Sequence, residues 1–284
     1  MIHTAKYEAD LHCHTTESDG VCTPAQVVRQ AWEVGLKAVA ITDHDTISGW
    51  SEAEKAGKQY HITVLKGIEI NTDWEGREVH ILGYALNAND DNLATRLSEL
   101  REKRVQRIKK MIGKLSQCGV DIAFEDVLKH AEGDSIGRPH IAQALIEKKV
   151  VDNVHIAFDK YLKIGRPAYV PRNKLDPAEA IRIIRDAGGV AVVAHPGSFC
   201  TAQEISQWVK VGLQGIEVFH PENSADDRWR LTKIAKQNGL IITGGSDYHG
   251  HSVKPGINLG DWGVGMNVIK EIEQRSSIFF QQKD

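Results

Sequence analysis

Ala38-Val39-Ala40-Ile41-Thr42-Asp43-His44-Asp45 is a short apolar run that closes on acid, imidazole and acid. Its length and its Val/Ile content predict a buried strand, Ala38–Thr42, rather than a helix. Thr23 is placed to cap a helix over Thr23–Val34, with Pro24 in the first turn, and a second helix is predicted over Ile47–Gln59. Helix, buried strand, helix is the unit of a mainly parallel sheet covered by helices. The same rhythm predicts strands at Tyr7–His12, Thr63–Ile70, Val79–Leu86, Val190–His195, Gly215–Phe219 and Leu240–Gly245. Helices follow at Pro177–Ala187, Ala202–Val211 and Asp226–Asn238. The expected fold is α/β, with seven strands forming an open sheet or a barrel.

Between Asn89 and Pro171 the rhythm changes. Leu93–Cys118 is one long helical pattern with an apolar stripe of Leu97, Leu100, Val105, Ile108, Ile112 and Leu115. Phe124–His130 and His140–Lys148 are further helices, and a short strand is expected at Ala168–Val170. We read residues 89–171 as a helical insertion, and 1–88 with 172–284 as the α/β domain. The insertion holds 15 Lys/Arg against 12 Asp/Glu, a net +3; the remainder holds 20 against 26, a net −6. Arg96, Arg101, Lys103, Arg104, Arg107, Lys109, Lys110 and Lys114 carry the excess. They form either a solvated helix face or an anion-facing wall beside an active site.

Across all 284 residues, 35 basic and 38 acidic side chains leave a formal charge of −3. That excludes a globally basic nucleic-acid coat protein but not a local basic patch. No apolar run approaches the roughly 18 residues of a membrane span. The first residues lack the apolar stretch of a signal peptide, so a cytoplasmic location is expected. Cys13, Cys22, Cys118 and Cys200 form no C-x-x-C pair, which points to reduced, mostly buried thiols.

Histidine is the unusual count, at 13. Asp10-Leu11-His12-Cys13-His14 places two imidazoles at spacing two where a strand ends, hence on one side. Asp19 follows in a polar loop. Asp43-His44-Asp45 closes the second strand, Glu69 the third, Ala194-His195-Pro196 the fifth and Ser246-Asp247-Tyr248-His249 the last, while His80 lies in the fourth. Any one of these is weak evidence. Six of seven predicted strands carry such a group at or near the edge where active sites of parallel α/β proteins form. Nine residues therefore converge: His12, His14, Asp19, His44, Glu69, His80, His195, Asp247 and His249. Nine N/O ligands suit two or three divalent ions, and a His/carboxylate set without thiolate suits Mn2+, Zn2+ or Fe2+ better than Ca2+.

These motifs, in this order from residue 10 to 249, resemble the PHP (polymerase and histidinol phosphatase) metal-dependent phosphoesterases. The resemblance implies a distorted seven-stranded β/α barrel with a trinuclear centre, Mn2+ being the favoured ion. It implies that His12, His14, Glu69 and Asp247 hold one ion, that Glu69 bridges to a second completed by His80 and His195, and that Asp19, His44 and His249 hold a third. A hydroxide generated at that centre would attack phosphorus in line.

The insertion narrows the substrate. Ser135-Ile136-Gly137-Arg138-Pro139-His140 and Gly165-Arg166-Pro167-Ala168-Tyr169-Val170 resemble the subgroup acting on nucleoside 3′,5′-bisphosphates, some of which degrade 5′-phosphorylated RNA from its 5′ end. Arg138 is the candidate for the phosphate that is not cleaved, or else pairs with Asp134. Ser135 could add a hydroxyl, and His140, Arg166 and Tyr169 are further candidate contacts, or cap and pack. His220, after another strand, is either a phosphate contact or leaving-group acid, or a neutral structural imidazole. The expected partners are a nucleotide bisphosphate or a short RNA 5′ end; no DNA-specific motif is present. Two other readings are a phosphatase for a small phosphomonoester such as histidinol phosphate, and a non-catalytic module binding a polymerase or RNA. The latter should have lost ligands, and none of the nine is missing.

Overall fold

The computed structural model describes residues 4–171 and 175–276. Its seven strands are β1 (Ala9–Asp10), β2 (Ala38–Ile41), β3 (Thr63–Trp74), β4 (Arg77–Tyr84), β5 (Val190–Val193), β6 (Gly215–Phe219) and β7 (Ile241–Gly244). They lie side by side in chain order. The Leu11 amide donates to the Gly244 carbonyl at 3.2 Å and Cys13 bridges to Tyr248, so the outer strands nearly close a barrel. Gly245 permits this approach, because a Cβ there would lie 2.4 Å from the His12 nitrogen.

One strand departs from the expected parallel sheet. β3 and β4 form an antiparallel hairpin, and β4 is also antiparallel to β5. The hairpin turns at Glu75-Gly76, both with positive φ (53° and 80°). A two-residue turn can return the chain only antiparallel. The reversal carries His80, which sits in the first half of β4, to the mouth where the other strands end.

Strand parity sorts the core. Ala38, Ala40, Leu65, Leu82, Tyr84, Val190, Val192 and Ile241 share one cluster inside the barrel. A helix not foreseen in the sequence, Met266–Arg275, plugs that cluster with Val268, Ile269 and Ile272. The alternate residues Val39, Ile41, Ile68, Ile70, Ile81 and Val193 face outward into a second cluster. That cluster is covered by α1 (Pro24–Glu33), α2 (Trp50–Tyr60), α7 (Pro177–Asp186), α8 (Ala202–Val209) and α9 (Ala225–Gln237). Thr23 caps α1 through a reciprocal box with Gln26.

Residues 91–162 fold as α3 (Asp91–Gln117), α4 (Phe124–Leu128), α5 (Arg138–Glu147), α6 (Val154–Ala157) and a π-helical turn, Phe158–Leu162. Leu93 and Leu97 of α3 pack on the barrel side, while Ile108, Met111 and Leu115 anchor a separate apolar cluster of the helical segment. The expected strand at Ala168–Val170 is absent. Its amides turn back locally instead, Ala168 to the Tyr161 carbonyl and Tyr169 to the Arg166 carbonyl. The helical segment docks beside the Asp19 loop through Gly133, where a Cβ would meet the Glu17 Cα at 2.2 Å, and through Ser135 N–H to Glu17 O at 3.1 Å. Among the described residues, no helix is long and apolar enough to cross a membrane.

Candidate metal centre

Barrel parity brings the polar residues together as it does the core. Glu69 shares the inward face of β3 with Leu65, and His80 shares that of β4 with Leu82 and Tyr84. All nine predicted residues meet at one mouth. His80 and His195 are partly buried, the other seven buried.

Glu69 stands at the centre. Its Oε1 lies 2.8 Å from His80 Nδ1 and 3.3 Å from His195 Nε2. Its Oε2 lies 3.1 Å from His14 Nε2, 3.4 Å from His12 Nε2 and 2.9 Å from His44 Nδ1. One oxygen thus faces each of two histidine sets. Asp247 Oδ1 is 3.3 Å from His14 Nε2 and 3.6 Å from His12 Nε2. Asp19 Oδ1 is 3.2 Å from His249 Nε2, and Asp19 Oδ2 is 3.7 Å from His44 Nε2. Among the described residues, four sets have donor atoms within 4.8 Å of one another: His14, Asp19, His44 and His249; His12, Glu69 and His195; His12, His14 and Asp247; and, deeper, His12, Glu217 and His220. The grouping differs from the expected partition: His12 rather than His80 joins Glu69 and His195, His80 meets the cluster through Glu69 Oε1, and His14 also reaches the Asp19 set through Nδ1.

The donors suit divalent ions. They are imidazole nitrogens and carboxylate oxygens, with no thiolate, because Cys13 packs into the apolar cluster. Asp19 Oδ1 and Glu69 Oε2 are buried without a hydrogen-bond partner, which is costly unless a cation faces them. Burial pushes both carboxyls up, but the surrounding histidines outweigh it and hold them well below the usual range. Burial pushes His14 down, yet Asp247 and Glu69 outweigh it and raise it to about 9. Burial prevails at His44, which falls to about 4.

These values set a proton linkage. In the metal-free protein the His14 proton contributes stability that is complete below about pH 6.5 and is lost as pH rises through about 9. A cation must displace that proton. Burial pushes His12 down as well, yet Glu217 and Glu69 outweigh it and raise it, so we expect release of at least one proton per chain on metal uptake near pH 7.5, and tighter binding as pH approaches 9. Calorimetry in buffers of different ionisation heats measures it; binding without proton release would contradict the placement of His14.

Several residues the motifs did not single out hold the set in place. Glu217, inward-facing on β6 and fully buried, lies 3.0 Å from His12 Nδ1 and accepts the His195 amide at 2.9 Å. It orients His12 so that Nε2 faces the centre. Asp10 accepts the Ser246, His12 and Gly260 amides. Asp43 accepts from Thr15 and Ser18. Lys254 pairs with Asp247. The available signal was strand parity: Glu217 lies two residues from Phe219 on the inward face. His195 and Asp247 take positive φ values of 27° and 55°, conformations rarely adopted by such side chains and concentrated at functional sites.

The mouth opens into a cavity of about 1350 Å³. Arg104, Arg107 and Arg138 line its far wall, with Phe158 and Lys163. Arg104 Nε donates to Asp45 at 2.5 Å, while its Nη2 is buried without a hydrogen-bond partner. Arg107 Nε donates to the Val170 carbonyl, and its guanidinium lies over Tyr169. Arg138 does not pair with Asp134, which accepts from Ser48; it donates to Glu78 at 2.8 Å and lies over Phe158.

The other candidates lie elsewhere. His140 Nδ1 accepts the Gly137 amide and caps α5. Ser135 is buried with its hydroxyl unpartnered, outside the cavity lining. Arg166 is exposed and, like Tyr169, does not line the cavity. His220 is fully buried behind Asp247, its Nδ1 accepting the Glu222 amide; burial, against Glu217 and Asp247, lowers its pKa.

Comparison with known proteins accords with this geometry. A 5′-3′ exoribonuclease of Haemophilus influenzae is 35% identical over 87% of this chain and 90% of its own length. A 3′,5′-nucleoside bisphosphate phosphatase of Chromobacterium violaceum is 33% identical, covering 84% and 86%. A phosphoribosyl 1,2-cyclic phosphate 1,2-diphosphodiesterase of Eggerthella lenta is 33% identical, covering 85% and 94%. The crystal structure of a Bifidobacterium adolescentis protein superposes with a TM-score of 0.91 at 35% identity, covering 96% of this chain and 98% of that one. The family model of the PHP domain matches residues 10–173. With its histidines and carboxylates gathered at one barrel mouth, this chain belongs to the PHP domain family of metal-dependent phosphoesterases.

Proposed function

We propose that the chain hydrolyses a phosphoester on a ribose bearing a second phosphate, with the 3′-phosphate of a nucleoside 3′,5′-bisphosphate as the first substrate. The observation that carries this is the pairing, within one cavity, of the His/carboxylate cluster with a wall of three arginines. The cluster takes the phosphorus that is cleaved, and Arg107 and Arg138 take the phosphate that is not. Two relatives support the pattern, since a nucleoside 3′,5′-bisphosphate and a phosphoribosyl cyclic phosphate each present two phosphates on one ribose. A 5′-monophosphorylated RNA end is the same unit extended by a chain, in keeping with the exoribonuclease relative.

His12, His14, Glu69 and Asp247 hold one ion, Glu69, His80 and His195 a second, and Asp19, His44 and His249, with His14 adjoining, a third; Mn2+ is the ion we favour. When bound, the ions supply hydroxide from water near neutral pH and neutralise phosphoryl charge. Glu217 fixes His12, and through the His195 amide the adjoining corner. His220, fully buried against Asp247 and outside the cavity lining, is taken as a structural imidazole that positions Asp247 rather than as a phosphate contact or leaving-group acid. Residues 89–171 serve as the unit that caps the substrate.

Phosphate release is the test. A nucleoside 3′,5′-bisphosphate should be turned over at least about tenfold faster, in kcat/KM, than histidinol phosphate or a 3′-mononucleotide. RNA with a 5′-monophosphate should be degraded at least about tenfold faster than 5′-hydroxyl RNA, which lacks the anchoring charge. Equal rates on the two RNAs would remove the anchor. Efficient opening of a phosphoribosyl cyclic phosphate with no action on the bisphosphate would assign the diesterase activity instead.

A further inference from the structure

Glu78 stands inside the arginine wall. Its carboxylate accepts Arg138 Nη2 at 2.8 Å and lies 3.6 Å from Arg107 Nη2. All three side chains line the cavity and are largely buried, at 18% exposed for Glu78, 15% for Arg138 and 9% for Arg107. The arginines belong to the helical segment and Glu78 to the barrel, so the contact crosses the substrate's space. An arriving anion meets a subsite already holding one.

β4 supplies the spacing. Glu78 and His80 are two residues apart on one strand, so both face the same side, roughly 7 Å apart along it. His80 contacts Glu69 in the metal-ligand cluster, and Glu78 contacts the arginines. In a ribose 3′,5′-bisphosphate the two phosphorus atoms are joined through O3′, C3′, C4′, C5′ and O5′, a span of similar reach. A phosphorus placed beside His80 therefore puts the second phosphate where the Glu78 carboxylate rests.

We propose that Glu78 is a resident anion that competes with the substrate's second phosphate for Arg107 and Arg138, weakening the hold on the 5′-nucleotide product and so hastening its release. This rests on the reading of a second-phosphate site given above. Glu78 offsets part of the guanidinium charge and orients Arg138 before an anion arrives. A phosphate dianion, with more acceptor oxygens than a carboxylate, displaces Glu78 and is then repelled by it. Departure of the product is coupled to return of the carboxylate, which restores an anion beside two largely buried guanidiniums.

The test uses metal-loaded full-length protein and a nucleoside 5′-monophosphate. Glu78→Gln keeps the shape and removes the charge. It should tighten 5′-mononucleotide binding by calorimetry about tenfold, the equivalent of about 1.4 kcal/mol, with a matching rise in product inhibition. Glu78→Asp keeps the charge and should stay within about twofold of wild type. Unchanged or weaker binding in Glu78→Gln overturns the proposal and makes Glu78 a support for the arginines. Equal tightening in both variants overturns it too, since charge would not be the cause. A separate arm isolates the underlying reading. If Arg138→Ala leaves the preference for bisphosphate over 3′-mononucleotide intact, the second-phosphate site itself fails, whatever the Glu78 variants do.

Discussion

Glu69→Gln is expected to lower phosphoester hydrolysis by about a thousandfold, the equivalent of about 4 kcal/mol of transition-state stabilisation, and to remove at least one metal ion per chain. Each Glu69 oxygen faces a different histidine set, Oε1 toward His80 and His195 and Oε2 toward His12, His14 and His44. An amide keeps the shape but offers one neutral acceptor, with its NH2 facing the other set. The negative charge that offsets two cations is lost with it. The fold should persist, because Glu69 lies at the mouth while Leu65 and Ile68 of the same strand hold the two cores. The check is elemental analysis beside turnover and a thermal melt. Full metal content with normal turnover in a folded variant would refute the bridging position.

Arg138→Ala is expected to reduce kcat/KM for a nucleoside 3′,5′-bisphosphate by roughly tenfold to a few hundredfold, from the worth of a charge-assisted bidentate contact. A 3′-mononucleotide, which has no second phosphate, should lose far less. Arg138 is 15% exposed, lies over Phe158 and donates Nη2 to Glu78, leaving other N–H donors of the guanidinium to meet a phosphate. Equal losses on both substrates would make the side chain structural, a brace joining helical segment to barrel through Glu78. Arg138→Lys sharpens the result. It keeps the charge but not the planar fork, so a bidentate site should recover only part of the loss.

The architecture was largely legible in the chain because its signals are local. Short apolar runs, caps such as Thr23 and the alternation of strand with helix depend on near neighbours, and the seven strands expected of the α/β domain are present, while the one expected at Ala168–Val170 in the helical segment is not. The nine cluster residues were legible for a related reason. A parallel strand delivers its last residue to the same edge each time, so His44 after β2, His195 after β5 and Asp247 after β7 needed only their strands to be recognised.

What the chain alone left open depends on contacts between residues distant in sequence. The antiparallel turn of β4 was not expected, and only that reversal explains how His80, early in its strand, reaches the mouth. Glu217 shows no motif of its own; its importance appears when β6 lies near β1 and its carboxylate meets His12. Arg104 and Arg107 read either as a solvated helix face or as an anion wall, because a helix's periodicity gives its angular spacing but not the face turned toward a cavity. Docking of the helical segment at Glu17 and Gly133 turned them inward. Arg138 likewise had Asp134 as a near neighbour in sequence, yet folding gave that acid to Ser48 and brought Glu78 across from β4. The sequence by itself determined the barrel and its candidate metal-ligand set, through periodicity and strand ends; the arginine wall and the carboxylate within it were decided by tertiary structure, because ion pairing follows distance in space.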